Sequence, residues 1–137
     1  MPLTNYASTS AMPNIFADIE KQLLSHNAKQ IVKDFDNQGK VTAIAFVVNV
    51  NGNDVAIRLP ARFDRVEAIF REQGLKYKPE QPYRTAWATI RDWVRSQMAL
   101  IDWEIVKMEE VFLPYAVNRD GKTFFEIIEQ KQFLLEE

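Results

Sequence analysis

No cysteine occurs among the 137 residues, which excludes disulfides, thiolate nucleophiles and cysteine-ligated zinc. Glycine is scarce too. Its four residues stand singly at 39, 52, 74 and 121, so no glycine-rich loop cradles a phosphate. No apolar run approaches the roughly 20 residues of a membrane span, and no membrane partner is expected. Met1–Met12 has no basic start followed by an apolar stretch, so a secretory signal is not expected and a cytoplasmic location is. The acidic residues form neither an Asp-x-Asp-x-Asp-Gly loop nor a His-Glu-x-x-His pair, and no serine sits in a nucleophile elbow. The only histidine, His26, falls at a helix end, where a capping role fits better than general-base work. No catalytic residue, metal or cofactor is therefore expected, and the chain reads as non-enzymatic.

What is present describes one ordinary folded domain. Hydrophobic residues make up 47% and charged residues 26%, close to the globular average. Residues 1–13 read as a flexible polar tail and residues 14–137 as a single domain. Asn14–His26 carries apolar residues at Ile15, Phe16, Ile19, Leu23 and Leu24, a helical spacing with Asn14 as N-cap and Asn27 as terminator. Gln30–Phe35, Val41–Val50 and Asn53–Leu59 are rich in β-branched and aromatic residues, and the turns Asp36–Gly39 and Asn51-Gly52 separate them. A two-residue Asn-Gly loop sets the register. Val48 then faces Val55, Phe46 faces Ile57 and Ile44 faces Leu59 on a core face, while Ala45 faces Arg58 on a smaller, mixed face. Ile31 and Phe35 extend the core face if the first turn is equally tight.

Pro60 ends the third strand. Ala61–Gln73 follows as an amphipathic helix closed by Gly74, with Phe63, Val66, Ile69 and Phe70 inward. Tyr83–Met108 reads as one long helix whose apolar stripe runs through Trp87, Ile90, Val94, Met98, Ile101 and Ile105. At about 1.5 Å per residue it would outreach a three-stranded sheet. Residues 122–135 fit a strand or a helix equally. The fold class is thus α+β: a helix, a three-stranded antiparallel meander, two helices of which the second is long, and a short C-terminal element, all on one face of the sheet.

The charge is unevenly spread. Residues 50–98 hold nine basic and six acidic side chains, and residues 99–137 hold four basic and nine acidic. This asymmetry permits a local anion site or pairing between copies. The long helix allows both. Arg84, Arg91 and Arg95 share one stripe, with Asp102 and Glu109 on it farther along. Two copies crossing antiparallel near residues 96 and 97 would set Arg84 against Glu109 and Arg91 against Asp102. Ile90 would then approach Trp103, and Val94 would approach Ala99. Such self-complementarity is what a two-fold homodimer needs. Arg58, Arg62, Arg84, Arg91, Arg95 and Tyr83 are, alternatively, candidate contacts to a nucleotide or a single-stranded nucleic acid. Lys76-Tyr77-Lys78 adds a basic-aromatic loop of the composition that binds single strands.

Ile57-Arg58-Leu59-Pro60, Arg84-Thr85-Ala86-Trp87, Asp92-Trp93-Val94, Gln97-Met98-Ala99-Leu100-Ile101, Glu109-Glu110-Val111-Phe112-Leu113-Pro114-Tyr115 and Asp120-Gly121-Lys122-Thr123 form a combined pattern. It resembles an uncharacterised family of small proteins from tailed phages and prophages, over about residues 15–135. The resemblance implies a small accessory protein in the cytoplasm of a bacterial host and carries over no catalytic residue. Two functions follow as expectations: a dimeric module binding single-stranded nucleic acid or a nucleotide, or an interaction module whose acidic C-terminal third blocks a host defence protein.

Overall fold

The structure, a computed structural model, describes residues 3–131. Its order is α1 (Met12–Ser25), β1 (Lys29–Phe35), β2 (Val41–Val50), β3 (Asn53–Pro60), α2 (Phe63–Glu72), α3 (Gln81–Asp102), α4 (Met108–Phe112), a 3-10 turn (Leu113–Tyr115) and α5 (Phe124–Lys131). The three strands form one antiparallel sheet in the order β1-β2-β3. The α+β class and the meander are as the residue pattern predicts. Among the described residues no helix is long and apolar enough to cross a membrane.

The second hairpin has the expected register throughout. Val48 pairs with Val55, Phe46 with Ile57, Ile44 with Leu59 and Ala45 with Arg58. Asn51 and Gly52 both take positive φ, at 51° and 86°, as the tight turn requires. The first hairpin departs from expectation. Register shifts between Lys29 and Val32 and between Asp34 and Phe35 rotate the strand, and a one-residue slip exchanges the faces. Ile31 still packs against the core, but Phe35 points outward and is 63% exposed.

The core lies between the sheet and a helical layer in which α1 and α2 both pack on α3. Trp87 anchors it. The indole is fully buried, stacks edge-on against Phe16 at 5.2 Å and donates Nε1–H to the Val41 carbonyl at 3.0 Å. That bond satisfies the indole's one donor and ties α3 to the start of β2.

Four sequence expectations change. The helix α1 starts at Met12 with Ala11 as its N-cap, so Asn14 lies inside the helix. Pro13 accounts for this, because its fixed φ suits a first turn and its missing N–H has no partner there anyway. Residues 3–11 do not hang free as a tail but lie along α3, where Thr85 Oγ1 donates to the Asn5 carbonyl at 2.8 Å. In α2, Phe70 is buried but Ile69 is 42% exposed. The long helix stops at Asp102. Glu104 adopts φ 59°, and its N–H and that of Ile105 donate back to the Ile101 and Leu100 carbonyls, closing the helix in a left-handed cap. The chain then returns as α4. This reversal places Phe112 fully buried, edge-on to Phe46 at 5.1 Å and to Trp93 at 5.8 Å. A straight helix would have carried Phe112 past the end of the sheet. The C-terminal element is helical over Phe124–Lys131, and residues 132–135 of it lie outside the described residues.

Candidate functional site

A polar hollow of about 460 Å³ opens where the N-terminal segment, the α2–α3 loop and the first turn of α3 meet. Tyr6, Ser8 and Thr9 form one side, Lys76, Tyr77 and Lys78 a second, and Gln81 and Arg84 the helical floor. Gln81 organises it. Its Nε2 donates to the Tyr6 carbonyl at 2.9 Å and the Ser8 carbonyl at 3.2 Å, while its Oε1 accepts from Arg84 Nη1 at 3.2 Å. The Tyr6 hydroxyl donates to the Lys76 carbonyl, and its ring stands edge-on to Phe70 at 5.0 Å. Tyr77 packs at a tilt against the same Phe70 at 5.4 Å, and its hydroxyl accepts from Arg71 Nε at 3.1 Å. The segment 6–9 is thereby stapled over the loop through side-chain and backbone bonds.

The electrostatics of this hollow are one-sided. Among the described residues Lys76, Lys78 and Arg84 make no ion pair, and Glu80 is the one carboxylate on the lining. Arg84 Nε is buried with no hydrogen-bond partner among the described residues. A buried donor left unpaired costs about 1–3 kcal/mol, so native folds seldom keep one without a use.

Three of the other arginines singled out in the sequence, Arg58, Arg91 and Arg95, are neutralised within the chain. Arg58 meets Asp34 at 3.3 Å across the outer sheet face. Arg91 meets Asp92 at 3.0 Å and donates to Ser10 Oγ at 3.3 Å. Arg95 pairs with Asp18 of α1. Partial burial pushes the Asp92 carboxyl up, but hydrogen bonds from Asn5 and Arg91 and the Arg91 and Arg95 charges outweigh it and hold it below its ordinary value. Tyr83 is a packing residue. Its ring stands edge-on to Phe63 at 5.2 Å and its hydroxyl accepts the Val41 N–H at 2.9 Å. Burial raises its phenol above the usual value, with the Val41 bond opposing. Arg62 lines a different, apolar hollow, which shares no residue with the first.

The proposed two-fold register does not survive the fold. Val94 is fully buried inside its own chain, and Glu109 belongs to α4, beyond the end of α3. Asp102 is engaged by His26, whose Nε2 lies 2.7 Å from its Oδ1. Ile90 is half-buried, and Arg84 and Arg91 have the partners given above. Ala99 and Trp103 remain at the surface, Trp103 at 80% exposure.

His26 closes the end of α1, as its position suggested. Ser25, His26 and Asp102 stand in the order of a hydrolytic triad, but the hydrogen bonds run otherwise. Ser25 Oγ donates to the Gln22 carbonyl at 3.0 Å, and His26 Nδ1 faces that same carbonyl at 2.7 Å. The imidazole therefore donates on the side where a base would have to accept, and the set ties the ends of α1 and α3 together.

Sequence reasoning found Arg84 and the Lys76-Tyr77-Lys78 loop but missed Gln81 and the N-terminal wall. Tyr6, an aromatic inside a polar stretch, was the available signal. Compared with protein-family models, curated proteins and solved structures, the chain finds no match. Several residues of the combined motif pattern serve packing: Ala86, Trp87, Val94, Met98 and Phe112 are all buried.

Proposed function

We propose that this chain is a non-enzymatic binding module, of the phage accessory type that its motif residues resemble, and that it holds the phosphates of a nucleotide or a single-stranded nucleic acid in the polar hollow. The observation that supports this reading is the gathering of Arg84, Lys76 and Lys78 on one hollow, where among the described residues none of the three makes an ion pair. Phosphate oxygens supply the acceptors such a set lacks, and Tyr6 and Tyr77 supply aromatic surface beside them. The stripe of Arg91 and Arg95 is excluded from the contact by its own carboxylates.

Fluorescence anisotropy of a labelled 30-nucleotide DNA single strand tests the reading, with unlabelled mononucleotides as competitors. Three cations on a single strand give a log–log salt slope of about −2. Arg84→Ala is expected to weaken binding by about tenfold or more, the loss of one charge-assisted contact. Arg95→Glu should leave it within about twofold, because Arg95 lies outside the hollow. Absence of binding by strand and nucleotide at low salt sinks the proposal. Displacement of the strand by a mononucleotide would assign the site to nucleotides.

One observation favours a second reading, an interaction module for a host protein or a second copy. Trp103 and Ile105 are 80% and 65% exposed at the end of α3, beside the acidic Glu104. Large apolar side chains in this setting are typical of contact surfaces. Light scattering on the wild type and on Trp103→Glu separates the cases. A dimer that the substitution dissociates places the copy contact at this end, and an unchanged mass removes Trp103 from it.

A further inference from the structure

The second hollow has a chemistry unlike the first. It holds about 440 Å³ between the end of β3, the start of α2, the middle of α3, the 3-10 turn and α5. Pro60, Val66, Ile90, Pro114, Tyr115 and Phe125 make its walls apolar. Thr89 also lines it, but the hydroxyl donates to the Thr85 carbonyl at 2.8 Å and accepts from Asn5 Nδ2 at 3.3 Å, so it offers no free donor. Among the described residues one cationic side chain stands on the lining, Arg62. Among the described residues Arg62 enters no ion pair and no side-chain hydrogen bond, while its neighbour Arg58 is already taken by Asp34. A cavity of a few hundred Å³ with apolar walls and one convergent charged group is the usual form of a small-molecule site.

We propose that this hollow binds an amphiphilic monocarboxylate, with a medium-length alkyl chain on the apolar walls and its carboxylate on Arg62. Two features choose this head group. The guanidinium fork matches a carboxylate in two parallel bonds. The charges of Arg58 and Arg62 both favour the ionised form of Glu126. Bonds from the Thr123 N–H and hydroxyl, with those arginine charges, hold it below its ordinary value and hence ionised. A doubly charged phosphate would meet this second carboxylate at greater cost than a single negative charge does. An uncharged alcohol would leave Arg62 unmatched. The proposal is independent of the polar hollow.

Titration calorimetry tests it, with decanoate and decyl phosphate each below its micelle concentration and decanol below its solubility limit. Decanoate is expected to bind at least tenfold more tightly than decanol or decyl phosphate. Arg62→Gln, at an exposed position, should reduce decanoate to the level of decanol. Ile90→Trp, which fills the hollow, should abolish both. If Ile90→Trp fails to fold by circular dichroism, Phe125→Glu on exposed α5 serves as the blocking variant. Arg84→Ala should leave decanoate binding unchanged. Equal binding of acid and alcohol, tighter binding of the phosphate, no effect of Arg62→Gln, or no binding at all would overturn the proposal.

Discussion

Arg84 and Arg95 lie on the same helix and carry the same guanidinium, yet only one is available to a ligand. Arg95 meets Asp18, 77 residues away, and Arg84 meets the neutral Gln81. Nothing in the spacing along α3 distinguishes them, because the partner that neutralises Arg95 comes from another helix. The residue types of the site were therefore legible, and their availability was not. Asp92 shows the same dependence on distant partners, since Asn5 reaches it across 87 positions at 2.9 Å. Its carboxyl is held below the ordinary 3.8, so it binds a proton less readily folded than unfolded. The stability it contributes is complete above that ordinary value and fades as pH falls through the lower folded value. Asp92→Asn should accordingly cost stability at pH 7 and show a shallower loss below pH ~4 than the wild type, measured by urea unfolding across that range.

At the scale of elements, the end of α3 is the instructive case. Apolar periodicity continues through Ile101, Ile105 and Met108, and no glycine or proline interrupts residues 103–107. Helix and reversal thus look alike in the pattern. The burial of Phe112 against Phe46 and Trp93 decides between them, and that contact is non-local. The cap places a non-glycine residue in the left-handed region, which ordinarily costs about 1 kcal/mol. Glu104→Gly should relieve this and stabilise the protein by about 0.5–1 kcal/mol, raising the melting temperature by a few degrees in a thermal scan. An unchanged or lower melting temperature would show that Glu104 makes a compensating contribution. The Asn51-Gly52 hairpin is the opposite case. Its turn chemistry is local, so residue type alone determines every pair from Val50–Asn53 to Ala43–Pro60. In the first hairpin two register shifts intervene, and no residue type announces them.

At the scale of the molecule, α3 separates two chemistries along about 33 Å of helix. Its first turn borders the cationic hollow, and its last turn ends beside Glu104, Trp103 and Ile105. The middle borders the apolar hollow at Ala86, Thr89 and Ile90. One element thus serves as floor, wall and end-post for three distinct surfaces. This arrangement argues against a symmetric contact through the centre of α3, whose Val94 and Met98 are spent on the core.

The stapling of residues 5–8 to Gln81 and Thr85 makes the start of the chain a thermodynamic partner of whatever occupies the cationic hollow. Linkage is reciprocal: if the anchored segment helps to hold a ligand, the ligand must hold the segment to the same degree. Deleting residues 1–10 should weaken ligand binding. In the intact protein, saturating ligand should slow cleavage of this segment by an added protease by the same factor. A bulky affinity tag fused at Met1 would draw on that same free energy, so binding constants measured with the tag at the other terminus should be the tighter ones.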